Sequence, residues 1–306
     1  MRTGLAVGVL LLVLAGCNSA NQQATPSIET AIAVVASPVV ESEIDLHTYP
    51  ILPEVSARAR EIYQAGQAQG RNPQVFSKVG DCLTASSNYL VPFGTGNYDL
   101  GKYTDLQPTI NYFSAITVRE VDGAGLNSFT NPGLAAGSGC TSAGPLDPIW
   151  ANPAFCESGE TPLACEYRVS NPTLALIMLG TNDMTFVSAD KYEGYLRRIL
   201  QATIDAGVLP IISTVPPRPD YPDMAAKYNA IIVRLAEEND IPMVNLWLAL
   251  EAQPGFGVNA EHPTKLTLPP DECPACLTQD DLVAGINTHN LTMLMALHEI
   301  QLALSK

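Results

Sequence analysis

Positive charge is scarce in this 306-residue chain: 16 Lys and Arg stand against 31 Asp and Glu, a formal net charge of −15. A nucleic-acid backbone would be repelled rather than gripped, so nucleic acid is excluded as a partner. Long apolar runs are missing as well. The run near the amino terminus, Gly4–Leu14, falls well short of the roughly 20 residues that a membrane-spanning helix needs. Histidine is limited to His47, His262, His289 and His298, and no internal repeat is visible. Cysteine, in contrast, is plentiful. Seven cysteines are an odd number, so at least one lies outside any internal disulfide, and their abundance suits an oxidising compartment. The 46% hydrophobic content supplies a core for one α/β domain.

Arg2, the apolar Gly4–Leu14 and the box Leu14-Ala15-Gly16-Cys17 resemble a bacterial lipoprotein signal peptide. The resemblance implies loss of residues 1–16, lipidation of Cys17, and an exported protein lipid-anchored to a membrane of the cell envelope. An ordinary secretory signal with an incidental cysteine is the alternative. Residues 17–45 are small and polar, as in a flexible linker. One domain is expected over residues 46–306.

Within that domain the hydrophobic pattern predicts helices over Glu54–Gln69, Ala189–Ala206 and Tyr221–Asn239, with Gly66 weakening the last turn of the first. Strands are predicted at Gln74–Val79, Leu174–Leu179, Val208–Thr214 and Ile241–Asn245. Continuous apolar strands alternating with helices point to a parallel sheet covered on both faces, with its chemistry at the carboxyl ends of the strands. Two glycine-led blocks stand at such ends: Gly80-Asp81-Cys82-Leu83 and Gly180-Thr181-Asn182-Asp183.

Together, about a hundred residues apart, these blocks resemble the Gly-Asp-Ser-Leu and Gly-x-Asn-Asp motifs of the SGNH (GDSL) hydrolases. That family includes esterases, lipases and carbohydrate deacetylases. The resemblance covers roughly residues 74–304, apart from an insertion-like stretch at 127–170. It implies a three-layer α/β/α sandwich with a parallel, flavodoxin-like sheet and no cofactor or metal. The implied substrate is a small-molecule or glycan acyl ester, and the expected state is a monomer. Cys82 falls at the nucleophile position. Its own N–H, a glycine N–H and the Asn182 side chain would form the oxyanion hole. The glycine is expected after the second strand; in Val121–Asn127, Gly125 is preferred to Gly123. His262, followed by Pro263, takes the place of the family's general base. His289 is the alternative, and His298 reads as core or surface.

Two positions depart from the family pattern: Cys82 replaces Ser, and Asn259 stands three before His262 where Asp is usual. The changes are mutually consistent. A Ser nucleophile loses about 10⁴ in kcat when its orienting Asp becomes Asn, whereas Cys-His-Asn is a working combination because a thiol ionises more readily. Glu261 is a poorer substitute for the missing carboxylate, since adjacent side chains seldom face each other. The rival reading is an inactive envelope protein that binds a carbohydrate or lipid in the inherited cleft. Among the other cysteines, Cys273 and Cys276 are expected to form a local disulfide. The pair has zinc or redox spacing but lacks a second half-site or a His-rich partner set. Cys156 is expected to pair with Cys165 or with Cys140.

Overall fold

The computed structural model describes residues 44–305; the proposed signal peptide, Cys17 and nearly all of the linker lie outside them. Seven strands occur among the described residues: β1 (Asn72–Gly80), β2 (Arg119–Val121), β3 (Ala124–Leu126), β4 (Ala135–Ala136), β5 (Pro172–Met178), β6 (Leu209–Ser213) and β7 (Met243–Val244). Five of them form one sheet in the order β4-β1-β5-β6-β7, with every neighbouring pair parallel. Renumbered within the sheet, this is the flavodoxin-like order 2-1-3-4-5. Every residue of β5 and β6 is buried. Successive strand side chains point to opposite faces, so both faces are covered and the expected three layers are present.

The α-helices are α1 (Ala57–Ala68), α2 (Val91–Thr95), α3 (Gln107–Ser114), α4 (Pro162–Ser170), α5 (Ala189–Asp205), α6 (Pro222–Asn239), α7 (Leu246–Glu251) and α8 (Gly285–Leu304). Helix α1 runs through Gly66 because that glycine meets the turn before β6. A Cβ there would lie 1.9 Å from the Gly207 carbonyl oxygen. Helices α5 and α6 are joined by the stacked rings of Tyr192 and Tyr228, 3.9 Å apart. The two hydroxyls donate to the carbonyls of Leu179 and Val187, on either side of the second glycine-led block.

The 127–170 stretch is structured. It contributes edge strand β4 and helix α4, which are fastened by the buried Glu166 carboxylate. That carboxylate accepts hydrogen bonds from Ser77 on β1 (2.6 Å), Ser170 (2.7 Å) and the Leu134 N–H (2.6 Å). Disulfides join Cys156 to Cys165 and Cys273 to Cys276, which resolves the choice left open for Cys156. Among the described residues, Cys82 and Cys140 remain free thiols. The Cys156–Cys165 bridge closes a loop of sequence separation 9, a constraint worth about 2–3 kcal/mol. Replacing both cysteines by Ser should lower the denaturation midpoint accordingly, and an unchanged midpoint would show that the bridge adds nothing.

Candidate active site

The chain passes from β1 to one side of the sheet and later returns through β5 on the other, so the loops after these strands face each other across the switch point. Gly80 makes the first turn tight enough. A Cβ there would lie 2.2 Å from Thr84 Oγ1 and 2.5 Å from the Met178 carbonyl. The next residue, Asp81, is fully buried and ties the two blocks together. Its carboxylate accepts from the N–H groups of Leu83 (3.1 Å) and Thr181 (3.0 Å). Burial raises its pKa to about 6 despite these bonds.

The Cys82 thiol, half-buried, sits 3.5 Å from the Thr264 carbonyl and 3.7 Å from Asn182 Oδ1. Burial, reinforced by the Asp81 charge, pushes it up to about 11. The neutral thiol is therefore the favoured form near pH 7, and the His262 ring makes no hydrogen bond to it. Alkylation of Cys82 by iodoacetamide should be slow near neutrality and rise about tenfold per pH unit toward pH 11; a plateau already reached at pH 7 would contradict this environment.

Asn182 is held on both sides. The preceding peptide is clamped, because Thr181 donates its N–H to Asp81 and its carbonyl accepts from Arg218. Arg218 is only 3% exposed. It also grips Asp220 through two bonds of 2.8 and 2.6 Å, with its guanidinium 5.3 Å from the Tyr221 ring centre. On the other side, the Asp183 carboxylate accepts from the Ser142 N–H at 2.9 Å and from its hydroxyl. The Asn182 amide donates to the Cys140 carbonyl at 3.0 Å, so its oxygen faces Cys82 while a second N–H remains.

The glycine preferred from the sequence is not brought to this cluster. Gly125 lies in the β2–β3 hairpin opposite Glu120, separate from the main sheet, and none of the hairpin's hydrogen bonds reaches Cys82 or Asn182. The second strand of the sheet is β4, followed by Gly137-Ser138-Gly139-Cys140. Gly137 donates to the Gly80 carbonyl at 3.1 Å, and Asn182 reaches Cys140. The N–H groups of Cys82 and Gly139 make no hydrogen bond among the described residues, so both are available to an anion. Arg218 and Ser142 escaped the sequence reading, as did the bonding of Ser142 to Asp183, because such pairing is invisible before folding.

His262 stands near the tip of an exposed loop whose base pairs Val258 with Leu266. The loop reaches Cys82 through Thr264, but the His262 ring makes no hydrogen bond among the described residues. Asn259 does not orient that ring. Its side-chain oxygen accepts from the backbone N–H groups of Glu261 and His262, both at 3.0 Å, and so shapes the loop itself. The alternative base, His289, lies fully buried in α8 against Tyr89, ring centres 4.4 Å apart. Burial lowers its pKa to about 3, which makes it a poor proton acceptor. His298 bonds Thr109 at 2.9 Å, away from the cluster. Cys156, Glu160 and Cys165 converge, as do Asp271, Cys276 and Asp281. Each group contains disulfide sulfur, which lacks the thiolate charge that binds metals.

A family model described as GDSL-like Lipase/Acylhydrolase matches residues 79–266. No curated protein matches the chain. Among solved structures, it is similar to a lipase/acylhydrolase from Enterococcus faecalis (17% identity, TM-score 0.43, covering 74% of this chain and 95% of that one). It is also similar to a psychrotrophic esterase from Pseudoalteromonas (15%, 0.44, 76% and 100%). A third is an acetyl-xylooligosaccharide esterase from Geobacillus (16%, 0.43, 72% and 93%). The family match takes in both glycine-led blocks, the β4 loop and the His262 loop, over more than half of the sequence: the chain belongs to the GDSL-like lipase/acylhydrolase family.

Proposed function

We propose that the protein hydrolyses acyl esters with Cys82 as nucleophile and His262 as general base. The observation that carries this reading is the convergence on the Cys82 sulfur of Asn182, 3.7 Å away, and of the His262 loop through Thr264, 3.5 Å away. Burial disfavours ionisation of the thiol in advance, so a base takes its proton during attack. His262 would swing from its exposed position and replace the Thr264 carbonyl as the proton's acceptor. Sulfur then bonds to the ester carbon, and the carbonyl oxygen gains the negative charge. The N–H groups of Cys82 and Gly139 and the free N–H of Asn182 stabilise it. Collapse breaks the ester bond, His262 protonates the departing alcohol, and a thioester remains. Water attacks the thioester, gives its proton to His262, and releases the acid as the C–S bond breaks and the thiol is reprotonated. Asn259 supports the loop in this scheme rather than acting on the imidazole. Hydrolysis of short acyl esters by the wild-type protein but not by Cys82→Ala tests the reading.

The raised thiol pKa and the self-bonded Asn259 favour a second reading, in which the cleft binds esters without turnover. Equal inertness of wild type and Cys82→Ala would establish it. Envelope anchoring through Cys17 is part of the proposal under either reading, supported by the Leu14-Ala15-Gly16-Cys17 box. In a bacterial host, Cys17→Ser should abolish labelling by a fatty-acid precursor and shift the protein out of the membrane fraction; undiminished labelling would remove the anchor.

A further inference from the structure

Beside the Cys82–Asn182 pair, the 127–170 stretch forms a second feature that hydrolysis itself does not require. Strand β4, the loop after it and the start of α4 enclose a cavity of about 380 Å³, within the size range of small-molecule sites. Its wall includes Leu134, Ala136, Gly139, Cys140 and Pro145, with Trp150 at the edge. No lining side chain carries a charge or a carboxamide, in a protein with a net charge of −15. Trp150 is 72% exposed and its neighbour Ile149 78%, so apolar surface continues outward from the cavity. The cavity is joined to the reaction centre through its own wall: the Cys140 carbonyl accepts from Asn182 at 3.0 Å, and Gly139 carries an unpartnered N–H.

We propose that this cavity is the acyl subsite, taking the uncharged hydrocarbon chain of a medium-chain acyl ester, and that Trp150 and Ala143 set the chain length accepted. The proposal deepens the esterase reading and rests on it for turnover, although not for binding. A sugar ring would demand several directional polar partners, and the lining side chains offer only the hydroxyls of Ser138 and Thr141 and the Cys140 thiol. An apolar chain needs none, and is stabilised by the area it removes from water. A carboxyl group at the Gly139–Cys140 end of the cavity would lie one hydrogen bond away from Asn182, with the chain toward Trp150.

Two measurements separate this proposal from the esterase reading. With turnover, the ratio of kcat/KM for octanoyl over acetyl esters should fall at least tenfold in Ala143→Phe, which fills the cavity, and several-fold in Trp150→Ala. Without turnover, octanoate should slow iodoacetamide labelling of Cys140, read by peptide mass spectrometry, while acetate and xylo-oligosaccharide should not. Cys140 is half-buried and its thiol is pushed up to about 12, so labelling is slow and best run at alkaline pH. An unchanged ratio in an active enzyme overturns the subsite, and in an inert protein unprotected Cys140, or protection by the sugar, overturns it. Inert esters together with protection by octanoate would overturn the hydrolase reading and keep the subsite.

Discussion

Replacing Cys82 with Ala is expected to lower kcat/KM on a short acyl ester by about 10³-fold or more, because it removes the atom that forms the covalent intermediate. Cys82→Ser should retain little of this activity, about 10² below wild type at best. A hydroxyl is a far weaker acid than a thiol, and it depends more heavily on a base held in the correct tautomer by a carboxylate. Among the described residues no carboxylate bonds the His262 ring, and Asn259 is occupied by the N–H groups of Glu261 and His262. Initial rates, measured beside circular dichroism spectra to confirm an intact fold, check both variants. Undiminished turnover in Cys82→Ala would place the nucleophile elsewhere.

The second large effect is expected at Asn182. Its truncation to Ala should reduce kcat by about 10² to 10³, the usual cost of losing one oxyanion donor, with a much smaller change in KM. The backbone on either side is fixed independently, by Asp81 and Arg218 at Thr181 and by Ser142 at Asp183, so the truncation deletes the donor and its bond to the Cys140 carbonyl while its own loop stays held. A steady-state split of kcat against KM checks this. If KM rose while kcat held, Asn182 would contribute to ground-state binding rather than to stabilising developing charge.

What could be seen in the sequence follows from where the physical signal lies. Strand β5 announces itself, because a run buried on both faces must be continuously apolar, and its abrupt end at Gly180 marks the site. Strand β1 is less plain, since its β-like run before Gly80 includes Ser77 and Lys78. Strand β4 is only Ala135–Ala136, too short for any periodicity. The donor glycine was therefore sought in Val121–Asn127, which the structure places in a separate hairpin. The signal that was present, Gly137-Ser138-Gly139 directly after Leu134-Ala135-Ala136, identifies the loop once β4 is recognised. The family resemblance singled out His262, whose loop reaches Cys82 through Thr264. It did not reveal that Asn259 would turn back onto its own backbone. Residue type alone likewise says nothing of the burial and the Asp81 charge that raise the Cys82 pKa. Arg218 shows the same limit: its role depends on a buried contact with Thr181, far away in sequence.

The central claim is that Cys82 carries the acyl group. Rapid acid quench during turnover of an activated ester, followed by peptide mass spectrometry, measures this most directly. The predicted result is an acyl adduct on the Cys82 peptide that appears and decays with turnover and is absent from Cys82→Ala. Sustained hydrolysis with the adduct on another residue, or abolished by nothing done to Cys82, would contradict it.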